Sequence, residues 1–170
     1  MNEEKCRKIY REAFMDEDRT FENLLFDVCL ESLKTLNDKN ETVSMLFLLP
    51  CVLESDSKKI NAFYLYAAAT DTNRRKKGYM ESLIKNVLEQ CDLVFLRPAN
   101  EKLCDYYKKF GFKKITANSF KGELYLSPCG SYKQLVSLTG LSDNNEEFDI
   151  MYYSKNKIEI NSVIFNHSMN

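Results

Sequence analysis

Four cationic side chains stand in a row at Arg74, Arg75, Lys76 and Lys77, inside "DTNRRKKGYMESLIKN" (residues 71–86), and one glycine, Gly78, follows them. Such a run suits three partners: a nucleic acid, a localisation receptor, or a phosphate. Its flanks separate these readings. "INAFYLYAAAT" before it reads as a strand, and the apolar spacing after it reads as a helix. The first-turn N–H groups of that helix lack intrahelical partners, and the helix dipole favours an anion beside them. Gly78 lets the backbone turn tightly and approach a ligand closely. Arg75, Lys76 and Lys77 add positive potential there, while Arg74 is expected to face solvent. A diphosphate-bearing cofactor suits this arrangement. The stretch is not a P-loop, since no GKS or GKT follows. With one glycine it is not a dinucleotide fingerprint either.

Several elements must hold this loop in place. Cys6, Ile9, Tyr10, Ala13 and Phe14 predict an opening amphipathic helix. Thr20 is expected to cap a second, with Phe21, Leu24, Leu25 and Val28 inward. "NDKN" (37–40) predicts a turn, and "TVSMLFLLPCVLES" a long buried strand in which Pro50 marks an edge or a bulge. After the basic loop, Met80, Leu83, Ile84, Val87, Leu88 and Cys91 form one helix face. "DLVFLRP" is expected to be a central strand. "NEKLCDYYKKF" predicts a helix with Leu103, Tyr106, Tyr107 and Phe110 on one side, stopped by Gly111 in a left-handed cap. "FKKITANSF", "GELYLS", "FDIMYY" and "KIEINSVIF" read as strands, "YKQLVSL" as a short helix and "SDNNEE" as a loop. Strand, helix, strand, helix in the middle implies a mixed α/β sheet with parallel neighbours.

Composition narrows the function classes. The chain has 170 residues, enough for one domain with its own core, and a formal net charge of -1. A chain-wide basic footprint for nucleic acid is therefore absent. Six scattered cysteines and one histidine offer no zinc spacing, so no metal is expected. The cysteines read as small buried hydrophobes in a reducing cytoplasm. "MNEEKCRKIYREAF" reads as a charged amphipathic segment and not as a signal peptide. "MLFLLPCVL" is too short to span a membrane.

"RKKGYM" after a strand resembles the acyl-CoA signature of the GNAT superfamily of N-acetyltransferases: Gln or Arg, two variable residues, Gly, one variable residue, then Gly or Ala. Arg75 and Gly78 match, and Met80 departs at the last position. "NEKLCDYYKKFGF" resembles a second family segment through Asn100, Tyr107, Gly111 and Phe112, with Leu103 in place of a frequent alanine. The two cover about residues 60–115. The string "YLYAAAT…RRKKGYM…FLRPANEKL…YYKKFGF" looks most like a bacterial subgroup that includes Eis-like acetyltransferases.

The resemblance implies a twisted, mostly antiparallel sheet with a central splayed parallel pair, flanked by helices. It implies a single acetyltransferase-like domain over residues 1–170, with 128–170 as a C-terminal extension. Acetyl-CoA would be the co-substrate. Ala67, Ala68, Ala69 and Thr70 would let the pantetheine arm lie against the strand; the plainer reading is alanines packed under a helix. Amides from Arg75 through Lys76, Lys77, Gly78 and Tyr79 to Met80 would hold the pyrophosphate. Asn100 would bond the pantetheine amide, or serve only as a helix cap. Tyr107 would be the general acid, a phenol of pKa about 10 donating to a thiolate whose conjugate acid is near 8.5; the alternative is a core aromatic beside Tyr106. No base is assigned. The strand from Asn61 to Thr70 carries no carboxylate, and Glu41, Glu54 and Glu123 read first as surface charges, with His167 near a tail.

The leading expectation is thus transfer of an acetyl group to a primary amine on a small molecule or peptide, near Tyr64, Tyr66 and Pro50. The runner-up is a non-catalytic acyl-CoA-binding module. Neither nucleic acid nor membrane is an expected partner, and a homodimer stays open.

Overall fold

The computed structural model describes residues 2–15, 19–55, 58–116, 123–126 and 149–156. It divides into two compact units, one of residues Met1–Leu49 and Leu65–Gln90, the other of Pro50–Tyr64 and Cys91–Asn170.

The first unit opens with α1 (Glu3–Phe14). Asn2 caps it by accepting from the Lys5 amide at 3.1 Å, and Glu3 and Glu4 complement the dipole in the first turn. Cys6, Ile9 and Tyr10 are buried as the period predicts. Phe14 is not; it lies 45% exposed where the helix ends, leaning on Tyr10 with ring centroids 4.9 Å apart. The next helix, α2 (Arg19–Cys29), already includes Thr20, which therefore sits inside the first turn and is not its cap. Leu25 and Phe26 are buried, and Phe26 meets Tyr10 and Phe47 edge-on. The side chains of Phe21 and Leu24 lie outside the described residues.

Glu22 is 2% exposed, deep for a carboxylate. Arg11 answers it with two parallel bonds, Nε to Oε2 at 2.7 Å and a terminal nitrogen to Oε1 at 2.8 Å. Arg7 reaches the same carboxylate at 3.5 Å while lying over the Phe26 ring. Bidentate pairing and stacking are what guanidinium groups do better than ammonium groups.

A 3-10 turn at Leu30–Ser32 leads into β1 (Leu33–Asp38), which pairs antiparallel with β2 (Glu41–Ser55). Lys39 (φ 49°) and Asn40 (φ 67°) are both left-handed between paired Asp38 and Glu41, the two-residue turn whose twist matches a hairpin. β2 pairs with β1 up to Phe47 and with β6 (Glu123–Leu126) from Cys51. Pro50, with no N–H for a ladder, falls in the interval between those pairings. Then come β3 (Lys58–Thr70), a 3-10 turn at Thr72–Arg74, and α3 (Tyr79–Glu89), which packs on β1 and buries Leu83, Ile84, Val87 and Leu88.

In the second unit, β4 (Leu93–Leu96) buries all four residues, as a central strand must. It pairs parallel with β3 through Phe63–Val94 and Tyr64–Phe95, and there the pairing ends, although β3 runs on to Thr70. α4 (Glu101–Lys108) and β5 (Lys113–Thr116) follow. β7 (Asp149–Ser154) lies antiparallel to both β4 and β5. The hydrogen-bonded order is β1-β2-β3-β4-β7-β5, with β6 on β2: a mixed, mostly antiparallel sheet with one parallel pair. The expected helix "YKQLVSL", loop "SDNNEE" and strand "KIEINSVIF" lie outside the described residues. Cys6, Cys29, Cys51, Cys91 and Cys104 are buried thiols.

Candidate functional site

The basic loop is built from the end of β3 onward. Ala67 sits at φ 50°, a left-handed residue inside a strand, three positions beyond the last β4 pair. A residue of that hand breaks a ladder and turns the rest of the strand, as in a bulge. Ala67 and Ala69 are buried while Ala68 and Thr70 are half-exposed, so the small residues alternate and do not form one surface. The Thr70 hydroxyl shares a hydrogen bond with the Ser44 hydroxyl at 2.8 Å.

Asp71, 7% exposed, starts the loop. Its N–H donates to the Val43 carbonyl at 2.9 Å, and its carboxylate accepts from the Asn73 amide at 3.0 Å. The same carboxylate receives the Lys5 ammonium of α1. That bond is the main reason its pKa is lowered, against the opposing effect of burial. Thr72 donates to Glu12 at 3.1 Å, and Arg74 N–H closes the turn on the Asp71 carbonyl at 2.8 Å.

Arg74 is partly exposed, its side chain at 34%, but it is not simply solvated. It pairs with Glu41 at 2.9 Å and Asp38 at 3.8 Å. The local run of like charge hid those two carboxylates, which come from the β1–β2 turn. Arg75 Nε donates to the Thr70 carbonyl at 3.3 Å. Lys76 is left-handed at φ 63° and Gly78 at φ 79°, two reversals within three residues. Lys76 and Lys77 are exposed, and no ion pair engages either among the described residues.

Gly78 is the N-cap of α3 and supplies no side-chain bond. The helix ladder begins with Ser82 N–H to the Gly78 carbonyl at 2.9 Å, so the amides of Tyr79 and Met80 precede it. Met80 takes its place in the first turn without disturbing that bond, and its side chain is half-buried. The Tyr79 hydroxyl donates to Asp38 at 2.6 Å, which raises the phenol's pKa.

The other candidate residues lie in the second unit. Asn100 is the N-cap of α4, its side-chain oxygen accepting from Leu103 N–H at 3.1 Å. With that oxygen engaged, its NH2 group remains as a donor toward a carbonyl. Cys104 and Tyr107 are the buried face of α4, while Leu103, Tyr106 and Phe110 are half-buried. The helix ends in a Schellman motif: Gly111 is at φ 88°, its N–H bonds Lys108 O at 3.0 Å, and Phe112 N–H reaches Tyr107 O at 3.4 Å. The accompanying apolar contact is Phe112 on the Tyr107 ring, centroids 5.6 Å apart. Gly-Phe after the helix is thus the device that seats Tyr107. Its hydroxyl has no hydrogen-bond partner among the described residues, yet it is not a sealed, unsatisfied group. Burial raises its pKa above the ordinary phenol value, with Tyr106 adding to the effect.

Of the carboxylates considered as a base, Glu41 is exposed and held by Arg74. Glu54 and Glu123 are cross-strand partners in β2 and β6, with side chains outside the described residues, as is His167. Among the described residues no group of three metal-ligating side chains forms, and no helix is long and apolar enough to cross a membrane. Lys5 and Asp38 were not legible as partners of the loop. Asp71 was in part: an Asp two residues before an Asn amide is an Asx-turn signal.

A mixed, mostly antiparallel sheet with one parallel pair, flanked by helices, is the fold of the acetyltransferase class to which this chain is similar. The sequence family described as "Acetyltransferase (GNAT) domain" matches residues 2–115, and the chain belongs to that family. Solved structures share the fold. A GCN5-related N-acetyltransferase from Anabaena variabilis is 19% identical, with TM-score 0.58 over 69% of this chain and 30% of that one. A histone acetyltransferase HPA2-related protein from Corynebacterium glutamicum is 15% identical, with TM-score 0.54 over 86% and 87%. Arabidopsis thaliana Naa50, solved with a bisubstrate analogue of CoA, is 15% identical, with TM-score 0.52 over 91% and 94%. This chain spans only about a third of the first structures it resembles, 30% to 33% of their length. No curated protein sequence matches it.

Proposed function

We propose that this protein transfers an acetyl group from acetyl-CoA to a primary amine of a small molecule or peptide. The observation that carries the reading is the left-handed Gly78 opening α3 on uncapped amides, with exposed Lys76 and Lys77 beside them, in a chain of this family. The pyrophosphate is assigned to the amides from Arg75 to Met80, and the pantetheine arm to the backbone of Ala68, Ala69 and Thr70 and the NH2 group of Asn100.

In the reaction the amine lone pair attacks the thioester carbonyl, the C–S bond breaks, and the CoA sulfur leaves as thiolate. The amine gives up its proton and the sulfur gains one. Tyr107 is assigned the donor role at sulfur. Burial keeps its phenol protonated through neutral pH, and its hydroxyl is not spent on an acceptor among the described residues. The subgroup is proposed to be Eis-like on the motif string alone, the chain to act in the cytoplasm as a single domain, and the homodimer to remain an open arrangement.

A second reading is favoured by one observation: β3 from Asn61 to Thr70 carries no carboxylate to serve as base. The chain would then bind acyl-CoA without turning it over. Two experiments decide. Acetyl-CoA at about 100 times Kd is expected to stabilise the fold by about 2.7 kcal/mol; no shift overturns both readings. Thiol release across a panel of primary amines is expected to find an acceptor. Binding with no release from any amine overturns catalysis and leaves the binding module.

A further inference from the structure

We infer that Lys5 and Asp38 are positioning residues that hold the loop 71–78 in its anion-binding shape before any ligand arrives. The CoA part of this inference rests on the function proposed above. The loop is anchored at both ends by side chains remote in sequence. At its start, the buried Asp71 carboxylate is bonded by Lys5 of α1, and Thr72 by Glu12 of the same helix. At its end, the Tyr79 hydroxyl and the Arg74 guanidinium both converge on Asp38 in the β1–β2 turn, with Glu41 taking Arg74 as well.

The segment between these anchors needs support. Lys76 is non-glycine and left-handed at φ 63°, a conformation strained for an L-residue. Its side chain and that of Lys77 are exposed and contribute no ion pair among the described residues. The bonds within the loop, Asn73 and Arg74 to Asp71 and Arg75 to the Thr70 carbonyl, all precede Lys76, whereas the anchors fix both ends of its span. A loop held in shape binds without first losing conformational freedom. The anchors should therefore appear in CoA affinity and not in the chemical step. Acidic side chains at Asp38 and Glu41 pair with Arg74, and Asp71 with Lys5, so among the described residues the loop's charge without an acidic partner is at Arg75, Lys76 and Lys77.

Two measurements test this on the whole chain. The first is hydrogen exchange in ligand-free protein, comparing Lys5→Met, Lys5→Arg and Asp38→Asn with Arg11→Met as a control. Arg11 holds Glu22 in α2, and among the described residues its side-chain hydrogen bonds and ion pairs are with Glu22 and Glu4, not with the loop. Lys5→Met and Asp38→Asn are expected to speed exchange at the amides of residues 73–80 selectively, Lys5→Arg to restore protection, and Arg11→Met to leave those amides unchanged. The second is the acetyl-CoA titration. The anchor variants are expected to weaken binding roughly tenfold, within the usual range of site coupling, with turnover at saturating acetyl-CoA unchanged. The control is expected to lower the melting temperature without changing affinity. Unaltered exchange in both anchor variants, or equal change in the control, overturns the inference. If the wild-type protein fails to bind acetyl-CoA, the CoA reading falls, and the exchange result still decides whether the anchors hold the loop.

Discussion

Gly111→Ala tests the mechanism by which the chain seats Tyr107. A Cβ at this position would meet the Tyr153 ring at 3.7 and 3.8 Å, ordinary contact, so no clash contributes. The remaining factor is backbone conformation. At φ 88° an L-alanine is strained by roughly 1–2 kcal/mol, and the stiffer unfolded chain returns about 0.4–1 kcal/mol of that. The net expectation is a loss of about 1 kcal/mol, read as a fall in melting temperature of about 2–4 °C for a chain of this size. Asparagine tolerates the left-handed region better, so stability should rank Gly111 above Asn above Ala. If alanine instead escapes the strain, the bonds from Gly111 and Phe112 to Lys108 and Tyr107 are lost and Phe112 leaves the Tyr107 ring. Turnover should then fall more than acetyl-CoA affinity does. Urea or thermal unfolding gives the stability, calorimetry the affinity, and thiol release the turnover. A loss above about 3 kcal/mol would mean that packing against Tyr153 dominates. A gain in stability, or unchanged turnover in a variant shown to have lost the left-handed cap, would refute the seating argument.

Tyr107→Phe removes one hydroxyl that no described residue engages. It is expected to cut turnover about 10²–10⁴-fold with folding stability and acetyl-CoA affinity nearly unchanged; equal loss of affinity would make it a binding residue. Gly78→Ala has open space within 4 Å but a left-handed φ of 79°. It should lower stability by about 1 kcal/mol and weaken acetyl-CoA binding, measured by calorimetry. Glu22 is held below its ordinary pKa chiefly by the Arg11 hydrogen bonds. Its contribution is therefore present above the unfolded carboxylate pKa of about 4.3 and is lost as pH falls below it. Glu22→Gln should cost about 1–3 kcal/mol at pH 7 and flatten the acid limb of a stability-versus-pH curve.

How much of this was legible depended on range. Local signals read well: the "NDKN" turn, the α3 face from Leu83 to Leu88, the buried run of β4 and the Gly111 cap are all set by neighbours within a few residues. Thr20 failed because a residue that can cap a helix can also sit inside it, one position after Arg19. Phe14 failed because periodicity does not show where a helix stops. The pairing of Arg74 was missed for the opposite reason. Its partners, Asp38 and Glu41, lie far back in sequence, and a run of like charges looks solvated until the fold brings carboxylates to it. Ala67 was equally illegible: a left-handed residue in a strand is expected to be glycine, and only the surrounding sheet holds an alanine there.

The place of β7 between β4 and β5 has a consequence for the order of folding. β4 is complete at Leu96, yet its antiparallel neighbour begins at Asp149. During synthesis at about 5–20 residues per second, a fully apolar strand therefore waits some seconds with one edge unpaired. β5 waits with it, since its ladder is also to β7. A chain halted before Asp149 would carry both motifs of the candidate site and still present two bare strand edges, the template for pairing with another chain. Nascent chains of this protein are thus most exposed to aggregation after the functional residues have been made and before the strand that joins their sheet has emerged.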